Sequence, residues 1–364
     1  MSLKCERCGC EDPLYFVKFQ GQDQCRRCIA YQGQEGESLN FNEDVIEQFK
    51  FELTPQQKEI SEQIYLASLS QNVLVNAVCG SGKSECVVYT ISQYLSQHKR
   101  IGITIARRQV VLELKERYQS IFPNIKVVAV CEGHTEDLSG QLVICTAHQL
   151  YRYQQQFDCL IIDEPDAFPF NQDEVLKGFS KQACCGHRIY LTATPDEYVR
   201  QDTQIELCLF KRPHHYPLPV PKLIKRPYLL QIMWLHRKRK EMTKPTLIFV
   251  PSIKQGKLLS QLLKISFVYA SDEQLDKKIS QFKKQLINPL LCTSVLERGL
   301  TFENVQVIIL NAQHPVFNLA ALIQIAGRVG RSARYPKGDV TFLCIEKTRQ
   351  LKQCIKQIQN ANAA

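Results

Sequence analysis

The chain has 364 residues, 44% hydrophobic and 23% charged, values that exclude a disordered polymer and allow two ordinary domains plus a small module. No apolar run approaches transmembrane length, and the opening MSLKCERCGC lacks the apolar core of a signal peptide, so neither a membrane-spanning nor an exported protein is expected. The formal charge of +10 is concentrated between Lys211 and Lys244, where ten Lys or Arg residues accompany one acid, Glu241; a polyanion partner and a solvated linker both fit that excess.

Two Cys-x-x-Cys turns come first, CERC at Cys5–Cys8 and CRRC at Cys25–Cys28, with sixteen residues between them. Together they offer a tetrahedral sulfur shell, the geometry zinc accepts, in a segment too short to bury a core of its own. Cys10 is near enough to replace a ligand, although Cys8 and Cys28 close the two turns better. Arg7, Arg26 and Arg27 make both turns basic, which favours phosphate contact, while protein binding and a purely structural clamp stay open. Of the sixteen cysteines, Cys145, Cys159, Cys208, Cys292 and Cys344 sit singly among apolar residues, as reduced buried thiols do, so a cytoplasmic location is expected.

Past the acidic stretch Gly33–Asp44, Thr54 or Pro55 opens a helix over QQKEISEQIYLASL. Short Ile/Val-rich runs then alternate with helical stretches: NVLVNAV, a helix from Gly82 to His98, IGITIA, a helix through Val110–Tyr118, KVVAVC, QLVICTAHQL, FDCLIIDE and RIYLTAT. The pattern predicts an α/β fold with a mostly parallel sheet covered on both faces. Pro217, Pro219 and Pro221 favour an extended crossing, after which TLIFVPS, ISFVYAS, PLLCTS, VQVIIL and DVTFLCI rebuild the same alternation. Leu351, Cys354, Ile355 and Ile358 fall at helical spacing and predict a tail helix docked on the last domain. The expected organisation is a four-cysteine module over 1–36, a first sheet domain over 37–212, a basic proline-rich linker over 213–244 and a second sheet domain over 245–364.

The stretch AVCGSGKSE follows the apolar strand NVLVN and forms a phosphate-binding loop. Ala77 stands where the first glycine of that pattern is expected, but Gly80, Ser81, Gly82, Lys83 and Ser84 remain. Gly80 and Gly82 turn backbone amides toward phosphates, Lys83 reaches the terminal phosphates and Ser84 ligates magnesium. Downstream, the buried run Leu160–Ile162 ends in Asp163, a magnesium ligand through water, and Glu164, which orients or deprotonates the attacking water. ATP hydrolysis follows from these two halves. Arg328 and Arg331, three apart, are expected on one helix face, where they stabilise the transferring phosphoryl group, with Gln324 four residues earlier placed to contact nucleotide or water.

In order and spacing these motifs resemble those of superfamily 2 helicases and translocases, which pair two RecA-like domains. TPQQ (Thr54–Gln57) resembles their adenine-recognising glutamine motif, with Gln57 the matching residue; IARRQVVLELK, TAHQL, DEPD, TAT, TSVLERG and QIAGRVGR follow in turn. By that resemblance Arg107, Arg108, Thr146 and Thr293 contact the nucleic-acid backbone, without reading sequence. Trp234 reads as a core residue before the basic HRKRK stretch rather than a base-stacking platform, and His214 and His215 as linker residues. The four-cysteine pattern, LTPQQ, DEPDAFPF and TSVLERGLTFENVQVIIL resemble the ComFA family of DNA-uptake helicases, with Pro165 where that family carries valine. The resemblance implies a cytoplasmic protein, peripheral to the inner face of the membrane at the uptake channel, that pulls single-stranded DNA inward. It also implies ATP, Mg2+ and Zn2+ as cofactors and a ComFC-like phosphoribosyltransferase-fold partner, and leaves homo-oligomerisation open. A PriA-like replication-restart helicase is the alternative, disfavoured because its cysteines interrupt the helicase core. A zinc-stabilised DNA-binding scaffold without motor activity would require a broken motif.

Overall fold

Strands whose side chains are apolar on both faces need cover on both faces, and parallel sheets with helices above and below supply it. The computed structural model describes residues 3–37, 44–49, 52–297 and 302–363. It divides into two units: residues 1–77 with 82–209, and residues 78–81 with 210–364.

The first unit opens on a hairpin of β1 (Phe16–Phe19) and β2 (Gln22–Cys25), antiparallel, which places Cys25 at the end of the second strand. Its main sheet uses β3 (Val73–Ala77), β4 (Ile101–Ile105), β5 (Val127–Val130), β6 (Leu142–Thr146), β7 (Phe157–Asp163), β8 (Cys184–Thr192) and β9 (Ile205–Leu209). The order is β5-β6-β4-β7-β8-β3-β9, and every pairing is parallel. Alternate residues serve two cores. Cys159 and Ile161 of β7 face one cluster with Val75 and Ile103, whereas Phe157, Leu160 and Ile162 face another with Leu176 and Phe179. Each such large apolar side chain, removed from water, stabilises the fold by about 1.5–3 kcal/mol. Cys8, Cys10, Cys25 and Cys28 belong to that second cluster, so the cysteine module is seated on the helix Glu174–Ala183. The seat is close: a Cβ at Gly178 would stand 1.9 Å from the Cys8 carbonyl oxygen.

The second unit contains β10 (Lys222–Lys225), β11 (Thr246–Phe249), β12 (Ser266–Val268), β13 (Leu290–Cys292), β14 (Gln306–Ile309) and β15 (Val340–Cys344). They form one parallel sheet, ordered β10-β15-β14-β11-β13-β12. The tail helix Arg349–Ala363 buries Leu351, Cys354 and Ile358 in this unit's core, as its spacing predicts, and Trp234 packs partly buried against the opposite cluster.

Three expectations are corrected. Residues 213–244 are not only a linker: Lys222–Lys225 pairs in register with Thr341–Cys344, and Tyr228–Lys238 is a helix. The helix expected over Gly82–His98 is broken into Lys83–Cys86 and Val88–Ser96 at Val87. Cys208 is exposed on β9, whereas Cys145, Cys159, Cys292 and Cys344 are fully buried, and burial pushes the Cys145 thiol up to about 12. Cys208 is exposed because β9 lies at the sheet edge, with one face uncovered.

Candidate functional site

In an open parallel sheet, loops leaving the C-terminal strand ends form the binding edge. Register aligns Ile105 with both Thr146 and Asp163, Asp163 with Leu191, and Asn76 with Thr192. One edge of the first unit therefore presents, in spatial order, Thr146 at the end of β6, Arg107 and Arg108 after β4, Asp163 and Glu164 at β7, Thr192–Thr194 at β8 and Gly82–Ser84 past β3. The ends of β3 and β7 stand two strand spacings apart, about 10 Å, a span that a bound magnesium–triphosphate would fill.

Gly82 has φ +88, a left-handed conformation, and a Cβ there would meet the Gln57 amide nitrogen at 2.3 Å. Gln57 reaches this position through a capping box: its Oε1 accepts from the Thr54 N–H at 2.9 Å, and Thr54 Oγ1 accepts from the Gln57 N–H at 3.3 Å. The glutamine is 4% exposed and lies against the glycine that begins the helix bearing Lys83 and Ser84. Lys83 and Ser84 are half-buried; the Ser84 carbonyl accepts from Tyr118 Oη at 3.2 Å, and Glu85 pairs with Arg117 at 2.6 Å.

Glu164 also takes a left-handed conformation, φ +56, held by its N–H donating to the Leu191 carbonyl at 2.9 Å. For a residue with a side chain this costs about 1–3 kcal/mol, and such residues cluster where geometry is needed for chemistry. Two residues on, Asp166 is buried and accepts from Thr192 Oγ1 and from Thr194 Oγ1, each at 2.6 Å. The end of DEPD is thus tied to both threonines of TAT, and any shift of one loop displaces the other. Thr146 is buried, Arg107 half-buried and Arg108 exposed, its guanidinium 3.5 Å from His134 Nε2.

In the second unit Thr293 leaves β13 with its N–H donating to the Val268 carbonyl at 3.3 Å. Arg298 and Gly299 of TSVLERG lie outside the described residues. The expectation that Arg328 and Arg331 share a helix face is corrected: the helix Leu319–Ala326 ends before both, and Gly330 turns the chain with φ +70. Arg328 is 1% exposed, its Nε donating to the Glu297 carbonyl at 3.1 Å, while Arg331 is half-buried and donates to Gly327 O at 3.1 Å. Gln324, at 1% exposed, accepts from the Cys79 thiol at 3.0 Å.

Sequence reasoning overlooked Arg212, buried and without a carboxylate partner in the described structure. Its guanidinium donates to the carbonyls of Cys79, Val329, Gly330 and Gly327 at 2.8–3.1 Å, tying the loop segment 78–81 to the turn that carries Arg328. Burial drives its pKa down to about 10. No local pattern sets this arginine apart from its basic neighbours.

The four module cysteines bring their sulfurs within 4.8 Å of one another, with Cys5–Cys28 at 3.6 Å and Cys8–Cys25 at 3.7 Å. A tetrahedron with metal–sulfur bonds of about 2.3 Å has edges of about 3.8 Å, so this donor set fits zinc. Cys10 is outside the set.

A phosphate loop and an acidic pair on one parallel sheet, followed by a second parallel-sheet unit, define a helicase-type ATPase of superfamily 2. Residues 50–197 match the family model described as type III restriction enzyme, res subunit, and residues 225–333 that of the helicase conserved C-terminal domain. The chain is similar to competence protein ComFA of Bacillus subtilis, 31% identical across 99% of this chain and 85% of the relative. It is 32% identical to competence protein ComFA of Streptococcus pneumoniae across 99% of this chain and 90% of that one. The chain belongs to the ComFA family. Its fold matches that of Mss116p bound to single-stranded RNA and AMP-PNP, with TM-score 0.67, 18% identity, and coverage of 91% of this chain and 81% of that one. The Mycobacterium smegmatis helicase Lhr bound to single-stranded DNA and AMP-PNP matches at TM-score 0.64 and 15% identity, covering 85% of this chain and 48% of that one. The protein is accordingly an ATP-hydrolysing, nucleic-acid-binding enzyme that works with magnesium. Among the described residues no helix is long and apolar enough to cross a membrane.

Proposed function

We propose that this protein is an ATP-driven translocase on single-stranded DNA that serves DNA uptake during competence. The observation that carries the reading is the order of residues along one sheet edge, with Lys83, Asp163 and Glu164 at one end and Arg107, Arg108 and Thr146 at the other. Phosphate chemistry and strand contact then share a rigid support, so a change at one is felt at the other.

In this reading Gly80, Ser81 and Gly82 wrap the phosphates and Lys83 neutralises the terminal pair, while Ser84 and Asp163 would hold magnesium, whose charge would offset that of the phosphoryl oxygens. Gln57 selects the adenine base, and Glu164 takes the proton of the attacking water. Arg331, with Arg328 and Gln324 supporting it, stabilises charge on the transferring group. Asp166 reports the state of the acidic pair to Thr192 and Thr194. Thr146, Thr293 and the two arginines hold backbone phosphates without reading bases. Cys5, Cys8, Cys25 and Cys28 hold zinc. The family's uptake role, a ComFC-like partner and a position at the inner membrane face belong to the same reading.

Displacement of streptavidin from end-biotinylated single strands tests it. ATP-dependent displacement from one end, absent with Glu164→Gln, is the expected result; equal rates with and without ATP at both ends would refute it.

A further inference from the structure

Thr146 begins a 3-10 turn, Ala147–Arg152, of six residues, although such turns seldom run beyond three or four without outside support. The support comes from the chain that leaves the cysteine module. Gly36 N–H donates to the Arg152 carbonyl at 3.0 Å, satisfying an acceptor that the end of a helical turn leaves unused. Tyr151 Oη donates to the Gln32 carbonyl at 2.8 Å, and Arg152 Nη1 donates to the carbonyl of Gln34. Gln156 Nε2 donates to the Gly36 carbonyl at 2.6 Å.

The module fixes the near end of this strap. Tyr31 N–H donates to Cys28 O at 3.0 Å, and Arg7 Nη2 donates to the Tyr31 carbonyl. The Arg7 guanidinium also stands 5.6 Å from the Tyr151 ring centre, and the Tyr31 ring meets Phe179 edge-on at 4.9 Å. Three links between a six-residue stretch and a six-residue turn are more than a tether requires. They fix the turn's backbone while leaving His148 exposed at its start.

The geometry points to a positioning role for the four-cysteine module: through Arg7 and the strap Tyr31–Gly36 it holds the turn after Thr146 in the shape that grips the phosphate backbone of a single strand. This rests on the proposed contact between that turn and nucleic acid. In this role Arg7 and Tyr31 act on the strand only through the turn they hold. Loss of the strap should therefore weaken strand binding while hydrolysis without DNA continues.

The test uses the full chain with Arg7→Ala, Tyr31→Ala and Tyr151→Phe. Anisotropy of a labelled oligodeoxythymidylate gives strand affinity, elemental analysis gives zinc content, and ATP hydrolysis is followed without DNA. The dissociation constant should rise about five-fold, the equivalent of one hydrogen bond, with zinc content, ATP KM and DNA-independent hydrolysis unchanged. Arg7→Lys, which keeps the cation over Tyr151, should recover part of the loss. Wild-type affinity in all three variants would overturn the proposal, as would a parallel fall in DNA-independent hydrolysis, which would make the module a support for the whole unit. His148→Ala separates the underlying reading. If it leaves affinity intact, the turn does not contact the strand; if it weakens binding while Tyr31→Ala does not, only the positioning role fails.

Discussion

Replacing Lys83 by alanine should reduce ATP hydrolysis by about two to three orders of magnitude while single-strand binding stays within about two-fold. The ammonium is the compact positive charge of the phosphate loop, carried on the first residue of the helix Lys83–Cys86 and only half-buried, so its removal creates no cavity. The expected penalty, about 2.7–4 kcal/mol in the barrier, is that of removing one charge stabiliser from a preorganised site. Thr146, Arg107 and Arg108 lie at the other end of the same edge, so strand binding measured without nucleotide should not register the change. Hydrolysis and binding rates by stopped flow check both halves. A variant that hydrolysed ATP normally would mean that this loop does not hold the reacting phosphates.

The second large effect concerns the cysteine module. Cys25→Ser removes one of four thiolates, and serine does not replace it as a zinc ligand at neutral pH. Structural zinc contributes on the order of 10 kcal/mol to modules of this size, so the first 37 residues should lose both metal and protease resistance. Phe179, Leu176 and Tyr151, which the module covers, would then face water. The rest of the first unit loses only that cover, about 1.5–3 kcal/mol per large side chain, so its thermal transition should fall by several degrees, at about 2–4 °C per kcal/mol. Elemental analysis, limited proteolysis and calorimetry together check this. Unchanged zinc content would transfer the ligand role to Cys10.

Much of this was legible in sequence because the strands are buried on both faces. FDCLIID and LVICT are apolar in nearly every position, which amphipathic helices are not, and each ends on a polar residue, Asp163 or Thr146, to which the proposed function gives a role. The four-cysteine cluster was legible because two Cys-x-x-Cys turns at this spacing have few other uses. Illegible features depended on tertiary partners. Lys222–Lys225 is four residues between prolines, and only its pairing with Thr341–Cys344 makes it a strand. The spacing of Arg328 and Arg331 suggested a helix face, but Gly327 and Gly330 end the helix and send Arg328 inward against Glu297. Arg212 and Asp166 act through backbone carbonyls and hydroxyls far away in sequence, which no local pattern encodes.

The central claim is that ATP hydrolysis is coupled to a single DNA strand. Steady-state hydrolysis measured alone and with single-stranded DNA, duplex DNA or single-stranded RNA tests it most directly. Stimulation of at least tenfold by single-stranded DNA, weaker with duplex, is the expected result, equivalent to about 1.4 kcal/mol of barrier. Hydrolysis at one rate in all four conditions would contradict it.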